Sequence, residues 1–162
     1  MLLMLLVASL SAAPAMANTF DYGIGNASVK TDGLGYSGWT YNLGANLEVA
    51  DGVGIVIDYA SGKLTKTGQT DVDYSATYVG VQYAVFDMSG AVFALNLGSA
   101  NVSTKQGVTS VATTVTDTGT RYGAGFIGPM SHTSERFINV DRDNSDKITV
   151  TSVDLVLVVH EG

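Results

Sequence analysis

Three groups of residues in this sequence have types and spacings able to do chemistry. His132-Thr133-Ser134 sets an imidazole two residues from a hydroxyl. A histidine activates a serine nucleophile when a carboxylate orients the ring, and Glu135 or Asp146 is the nearest carboxylate for that role. Asp141-Arg142-Asp143-Asn144-Ser145-Asp146 places oxygen donors at the first, third and fifth positions of a calcium-loop pattern. Its sixth residue is Asp146 where that loop needs glycine, and its twelfth is Ser152 where it needs a bidentate glutamate. The segment therefore reads as a solvated hairpin loop able at most to hold a divalent ion loosely, and no metal site is expected. The third group is dispersed: Glu48, Asp58, Arg121 and Asp154 are isolated charges in stretches that are otherwise apolar or glycine-rich. His160 has no evident partner, the chain has no cysteine for a thiolate ligand or a disulfide, and neither GxxxxGK[ST] nor HExxH occurs.

Those residues need elements to hold them, and the sequence repeats one kind of element. From Gly38 to Ala50 one alternate set is Trp39, Tyr41, Leu43, Ala45, Leu47 and Val49; the other is Thr40, Asn42, Gly44, Asn46 and Glu48. Successive side chains of a strand point to opposite faces, so this is a strand with one apolar face and one polar or small face. The same alternation predicts strands over 19–31, 53–64, 72–85, 91–102 and 117–127, a short seventh strand ending near Val140, and an eighth over 147–160. Asp51-Gly52 is a strong hairpin signal. The connections 32–38, 65–71, 103–116 and 141–146 read as longer and polar, whereas 50–52, 86–90 and 128–133 read as tight turns.

The chain has 162 residues, enough for one domain, and a formal net charge of −7 with 8 basic side chains, which excludes a basic nucleic-acid surface. Gly is abundant (19) and Pro scarce (2), and Val, Thr and Tyr outweigh helix formers, an all-β composition. Residues 1–17, MLLMLLVASLSAAPAMA, form an apolar run ending in Ala15-Met16-Ala17; a cleaved signal peptide is expected, with residues 18–162 as the mature domain. The run is shorter than the ~20 residues a spanning helix needs.

Alternating strands fit two architectures. A soluble exported barrel of lipocalin type turns its apolar face inward, and a membrane barrel turns it outward. Charged residues are 14 % of the chain, below the roughly 25 % of soluble proteins, and the minority face is small or singly charged. Aromatic residues gather near strand ends: Trp39, Tyr41, Tyr59 and Tyr74 toward the longer loops, Phe20, Tyr22, Tyr83, Phe93 and Phe126 toward the turns, as girdles at two membrane interfaces would. The expected fold is an all-β, eight-stranded, antiparallel up-and-down transmembrane β-barrel. In its fourth strand the alternation changes phase, from Tyr74, Ala76 and Tyr78 to Val79, Val81, Tyr83 and Val85. Either a β-bulge or a strand whose upper half stands above a membrane gives that pattern.

Tyr78-Val79-Gly80-Val81-Gln82-Tyr83 and Arg121-Tyr122-Gly123-Ala124-Gly125-Phe126 resemble the aromatic–glycine strand segments of small eight-stranded outer-membrane barrels. That superfamily includes the OmpA transmembrane domain, the OmpX/Ail group and the opacity-type adhesins, and the resemblance covers nearly all of residues 18–160. It implies a place in the outer membrane of a Gram-negative envelope, with lipid and lipopolysaccharide around the barrel and assembly by the barrel-assembly machinery. The sequence departs from that pattern at His160-Glu161-Gly162, where such barrels usually finish on an aromatic residue. The His-x-Ser segment is similar to that of outer-membrane lipid A deacylases, but Glu135 stands where an asparagine is expected, and 132–134 falls at a turn away from outer-leaflet lipid. No enzymatic activity and no cofactor are expected.

An eight-stranded barrel is just wide enough for side chains to fill. Glu48, Asp58, Arg121 and Asp154 are therefore expected to form a charge cluster in the lumen, with Arg121 paired to at least one acid, because an unpaired charge there is costly. The expected function is a non-enzymatic outer-membrane barrel with a structural or surface-interaction role and a filled lumen. The alternatives are a narrow porin-like channel for small solutes or ions and a soluble exported lipocalin-like binding barrel. The sequence names no surface ligand.

Overall fold

A computed structural model describes residues 18–31, 33–88, 91–106, 113–131, 134–144 and 148–160. Its eight strands are β1 (Thr19–Thr31), β2 (Leu34–Ala50), β3 (Val53–Leu64), β4 (Val72–Met88), β5 (Ala91–Gln106), β6 (Thr113–Ser131), β7 (Ser134–Asn144) and β8 (Ile148–His160). Each pairs antiparallel with its sequence neighbours, and β1 closes on β8, so no sheet edge is left unpaired. The rungs run from Thr19 through Asn46, Val56, Gly80, Gly98, Arg121, Asp143 and Val150 and return to β1 at Val29, ten residues beyond the start. A ten-residue stagger over eight strands, at about 3.3 Å per residue and about 4.8 Å between strands, tilts the strands by about 40°. That barrel is narrow enough to be filled by its own side chains.

The interior has two storeys. On the loop side it is apolar: Val29, Tyr36, Leu64, Val72, Val102, Ile148 and Val150 are buried against one another. On the turn side it is polar: Asn42, Asn46, Gln82, Asn96, Arg121, Asp143 and Asp154 are buried. The outer wall has the opposite sequence. Going from turn to loop, β1 presents Phe20, Tyr22 and Ile24, then Asn26, Ser28 and Lys30; β5 presents Leu95 and Leu97, then Ser99, Asn101 and Lys105. The same change falls between Tyr59 and Ser61 on β3, Val79 and Thr77 on β4, Tyr122 and Thr120 on β6, and Val153 and Thr151 on β8. The loop-side half is thus built as a water-soluble barrel and the turn-side half is built inside out.

This inversion explains the apparent phase change in β4. Tyr74, Ala76 and Tyr78 point inward and Val79 and Val81 outward, in unbroken alternation. The register shift on this strand lies lower, between Ala84 and Phe86. Of the two explanations that the alternation allowed, no bulge lies between Tyr78 and Val79; the strand is regular there, and what changes is the character of its outer face.

Several connections are shorter than expected. Links 32–33, 51–52, 89–90 and 132–133 have two residues each, 145–147 has three, 107–112 six and 65–71 seven. The segment 34–37 joins β2 because Gly33, at φ +77°, makes the reversal, leaving Leu34–Ser37 free to pair with β1. Much of 103–116 is strand because its Ser, Thr and Val residues suit a pleated surface and pair across β5 and β6, as Ser103 and Thr116 do at 3.2 Å between hydroxyls. Segment 86–88 extends β4, β6 runs on to Ser131, and 141–144 belongs to β7.

Candidate functional site

The interior polar side chains converge where the two storeys meet. Arg121 on β6 reaches across the lumen to Asp58 on β3, its Nη1 donating to Oδ2 at 2.9 Å. Its Nε lies 3.8 Å from Asp143 Oδ1 on β7, and its guanidinium carbon is 4.2 Å from the centroid of the Tyr78 ring. On β8, Ser152 Oγ donates to Asp154 Oδ2 at 3.2 Å. Together with Asp21, Asn42 and Tyr74 these residues surround a cavity of about 40 Å³. Four carboxylates face it, and Arg121 is the one cationic side chain lining it among the described residues.

Glycines make the room. Gly44 stands between Asp21 and Asp58 on one rung, and both carboxylates lean over it into the space a Cβ would fill. Asp154 lies in the same way over Gly25, its partner on β1. The Tyr78 ring folds along Gly80 and Gly98, which leaves its outer face to the guanidinium. Small residues on the inward face of these strands therefore accommodate long polar side chains from their neighbours.

Asp58, Arg121 and Asp154 lie in this cluster as a unit. Glu48 shares the inward face of β2 but stands at its turn end, where its Oε1 accepts a hydrogen bond from Gly52 N at 3.3 Å. Asp21 and Asp143 join the cluster unanticipated. Asp21 was legible, because alternation from Phe20 and Tyr22 puts it on the inward face. Asp143 was not, because the run Asp141–Asp146 has loop composition, and only pairing with β6 carries it inside. The hairpin-loop reading of 141–146 accordingly gives way to strand as far as Asn144; Ser145 and Asp146 lie outside the described residues.

The aromatic residues divide. Trp39 and Tyr41 are 67 % and 73 % exposed on the outer wall, and Tyr59 and the unanticipated Tyr122 stand near the same level. Toward the turns Phe20 and Tyr22 are exposed, and Phe93 stacks between Phe86 and Phe126, ring centroids 5.1 Å apart on each side. Tyr83 is half-buried beside Val53 and Leu95. Tyr74, expected in the loop-side girdle, is instead 4 % exposed inside the barrel. Its parity with Ala76 and Tyr78 fixes this direction: on the loop side β4 turns its polar residues, Asp73 and Thr77, outward and its apolar ones inward.

Residues 1–17, His132 and Thr133, and the terminal Glu161 and Gly162 lie outside the described residues, as do the side chains of Ser134, Glu135 and His160. Among the described residues no group of three or more His, Cys, Asp or Glu side chains could hold a metal ion. The chemistry that the cluster offers is ion pairing, hydrogen bonding and attraction for cations.

No protein-family model and no curated protein sequence matches the chain. Solved structures do. Ail, the attachment invasion locus protein of Yersinia pestis, superposes with a TM-score of 0.67 and 16 % identity, covering 91 % of this chain and 99 % of that one. Neisserial surface protein A gives 0.77 and 10 %, covering 89 % and 97 %. The N-terminal β-barrel domain of Pseudomonas aeruginosa OprF gives 0.59 and 12 %, covering 88 % and 98 %. All are small eight-stranded outer-membrane barrels, and at these identities the likeness is one of fold.

Proposed function

We propose that this chain is an integral outer-membrane protein, non-enzymatic, with a lumen closed to diffusion and a structural or surface-contact role. The outer wall carries this reading. Phe20, Tyr22, Ile24, Leu43, Leu47, Ile55, Ile57, Val79, Val81, Leu95, Leu97 and Leu155 are all exposed on the turn-side half. Water would not tolerate so continuous an apolar surface on a monomer, whereas acyl chains require it. The apolar band is longest on β2, from Trp39 to Val49, and is bordered by aromatic residues on both sides, as interfacial belts are.

Closure of the lumen rests on the loop-side storey. Tyr36, Leu64, Val72, Val102, Ile148 and Val150 are all within 2 % of complete burial, which supports a packed, closed interior. Gln106 Nε2 donates to Tyr36 OH at 3.0 Å, tying β5 to β2 across the mouth. Ail and neisserial surface protein A are by name an attachment protein and a surface protein, which favours contact through the loop-side half here. The barrel's neighbours in this reading are outer-membrane lipid, lipopolysaccharide and the assembly machinery, after removal of residues 1–17.

Fractionation tests the location: the protein should pellet with outer membranes, resist alkaline extraction and show heat-modifiable gel mobility. Recovery in a soluble fraction without detergent refutes it. Planar-bilayer recording tests closure: no discrete conductance steps are expected, and reproducible steps would establish the channel alternative.

A further inference from the structure

We propose that Trp39 and Lys63, on adjacent strands of the outer wall, seat the head of a phosphorylated glycolipid of the outer leaflet. One sugar ring lies on the indole, its phosphate meets the lysine, and an acyl chain runs down β2. The proposal rests on the outer-membrane reading above and gives it one specific lipid contact. Trp39 stands too high to be only part of the apolar wall. It pairs with Asn26 on β1, one outward position beyond Ile24, the last apolar residue there. Ser37 and Thr65 exchange backbone hydrogen bonds of 3.1 and 2.9 Å, and Thr40 pairs with Gly62, so Trp39 falls opposite Lys63 on β3. The indole thus stands about 5 Å above the level at which β1 turns polar, with a polar residue on each side. It is nevertheless 67 % exposed. Above it the same face of β2 carries only Ser37 and Gly35, and a Cβ on Gly35 would meet nothing within 4 Å. The indole therefore borders a low floor, edged by Lys63 on one strand and by Lys30, which pairs with Gly35, on the other. Both lysines are exposed, and among the described residues Lys63 forms no ion pair, although Asp73 shares its rung on β4.

The chemistry of the patch selects its occupant. An indole offers an apolar face to the C–H side of a sugar ring and an N–H at its edge to a hydroxyl. A lysine ammonium holds a phosphate as a point charge. The hydroxyls of Ser37 and Thr65, both exposed, supply further partners for a saccharide. A plain phospholipid would use the lysine and leave the floor empty. Continuity with the lipid face separates a membrane-borne saccharide from a free one. Below Trp39 the exposed line Tyr41, Leu43, Leu47 and Val49 runs on without a break, the longest apolar stripe on the wall. A head seated at Trp39 has its acyl chains directly over that stripe, and their burial adds to the affinity.

The test uses the folded barrel in phosphatidylcholine bilayers, with Trp39, the only tryptophan, as reporter. Lipid A added at rising mole fraction should shift its emission saturably, and phosphatidylglycerol at equal negative charge should not. Lys63→Gln should weaken the apparent affinity about fivefold, the effect of one cation at an anionic membrane surface. Lys105→Gln, exposed on β5, should leave it unchanged. Trp39→Leu keeps an apolar side chain without the flat face, and the barrel should then lose most of the lipid A it retains through detergent washing. Heat-modifiable mobility establishes that each variant has folded. An equal shift with phosphatidylglycerol, wild-type affinity in Lys63→Gln, or a deacylated, water-soluble head that binds as tightly as lipid A overturns the proposal. Fractionation tests the location separately, so a barrel that pellets with outer membranes yet ignores lipid A loses this site and keeps its place in the membrane.

Discussion

Removing Arg121 should be the most damaging single change in the barrel interior. Its guanidinium faces Asp58 at 2.9 Å and Asp143 at 3.8 Å, with side-chain exposures of 11 %, 21 % and 8 % for the three residues. At an effective dielectric of about 20, opposite charges ~4 Å apart attract by about 4 kcal/mol. Desolvation cancels much of that gain in the intact protein, so the pair contributes little net stability. Truncation is different, because the acids stay behind. Breaking a buried pair by removing one partner typically costs about 3–5 kcal/mol, and loss of the Tyr78 contact adds about 1 kcal/mol. The partial exposure of Asp58 puts Arg121→Ala nearer the lower end, about 3 kcal/mol. Reversible urea unfolding in lipid vesicles measures it, with Trp39, the only tryptophan, as the probe on the outer wall. Arg121→Lys should recover part of the loss, since an ammonium keeps the charge but lacks the planar fork and the stacking face. Asp58→Asn combined with Arg121→Ala should cost less than the two single changes added together. A loss under about 0.5 kcal/mol for Arg121→Ala, or strict additivity with Asp58→Asn, would refute the reasoning.

Other consequences follow from the two-storey wall. Leu155→Arg, in the apolar band, should cost about 2–4 kcal/mol in vesicles, whereas Thr151→Arg, two outward positions nearer the loops, should change stability by less than about 0.5 kcal/mol in the same unfolding assay. Spin labels at Leu95, Leu97, Ser99 and Asn101 should switch from oxygen-accessible to aqueous-relaxant-accessible between 97 and 99, and a label at Leu43 should meet lipid while one at Asn42 does not. Gly98→Ala should destabilise by about 1–3 kcal/mol, because its Cβ would meet the backbone of β4, whereas Gly35→Ala, with open space around it, should be neutral.

The sequence made the strands legible wherever one alternate set was uniformly apolar. The bounds 19–31 and 53–64 coincide with β1 and β3 because Gly33 and Asp51-Gly52 end the runs sharply. Boundaries failed where the outer face turns polar, at 34–37, 103–106 and 113–116, because serine and threonine rows on a wetted strand look like loop. Tyr74 and Asp143 were misplaced for the same reason: both lie near the level at which inside and outside exchange character. The convergence of Asp21 and Asp58 could not be read from alternation. It needs the register that places Gly44 between them, a relation among three strands that no single stretch contains.

The two inversions coincide, and that coincidence has a physical cause. On β5 the outer wall changes between Leu97 and Ser99 while the inner face changes between Asn96 and Ala100; on β8 the corresponding residues are Val153 and Thr151 outside, Asp154 and Val150 inside. Where acyl chains cover the outside, apolar burial is supplied by lipid, and the narrow interior is free to carry amides, acids and Arg121. Where water covers the outside, that supply ends, and the interior must furnish an ordinary apolar core of its own. From Ser99 to Gln106, at about 2.5 Å of rise per tilted residue, β5 stands about 20 Å above the apolar band. In the outer-membrane reading proposed above, the part of the barrel beyond the apolar band is a wall of paired strands, and strands make its surface contacts.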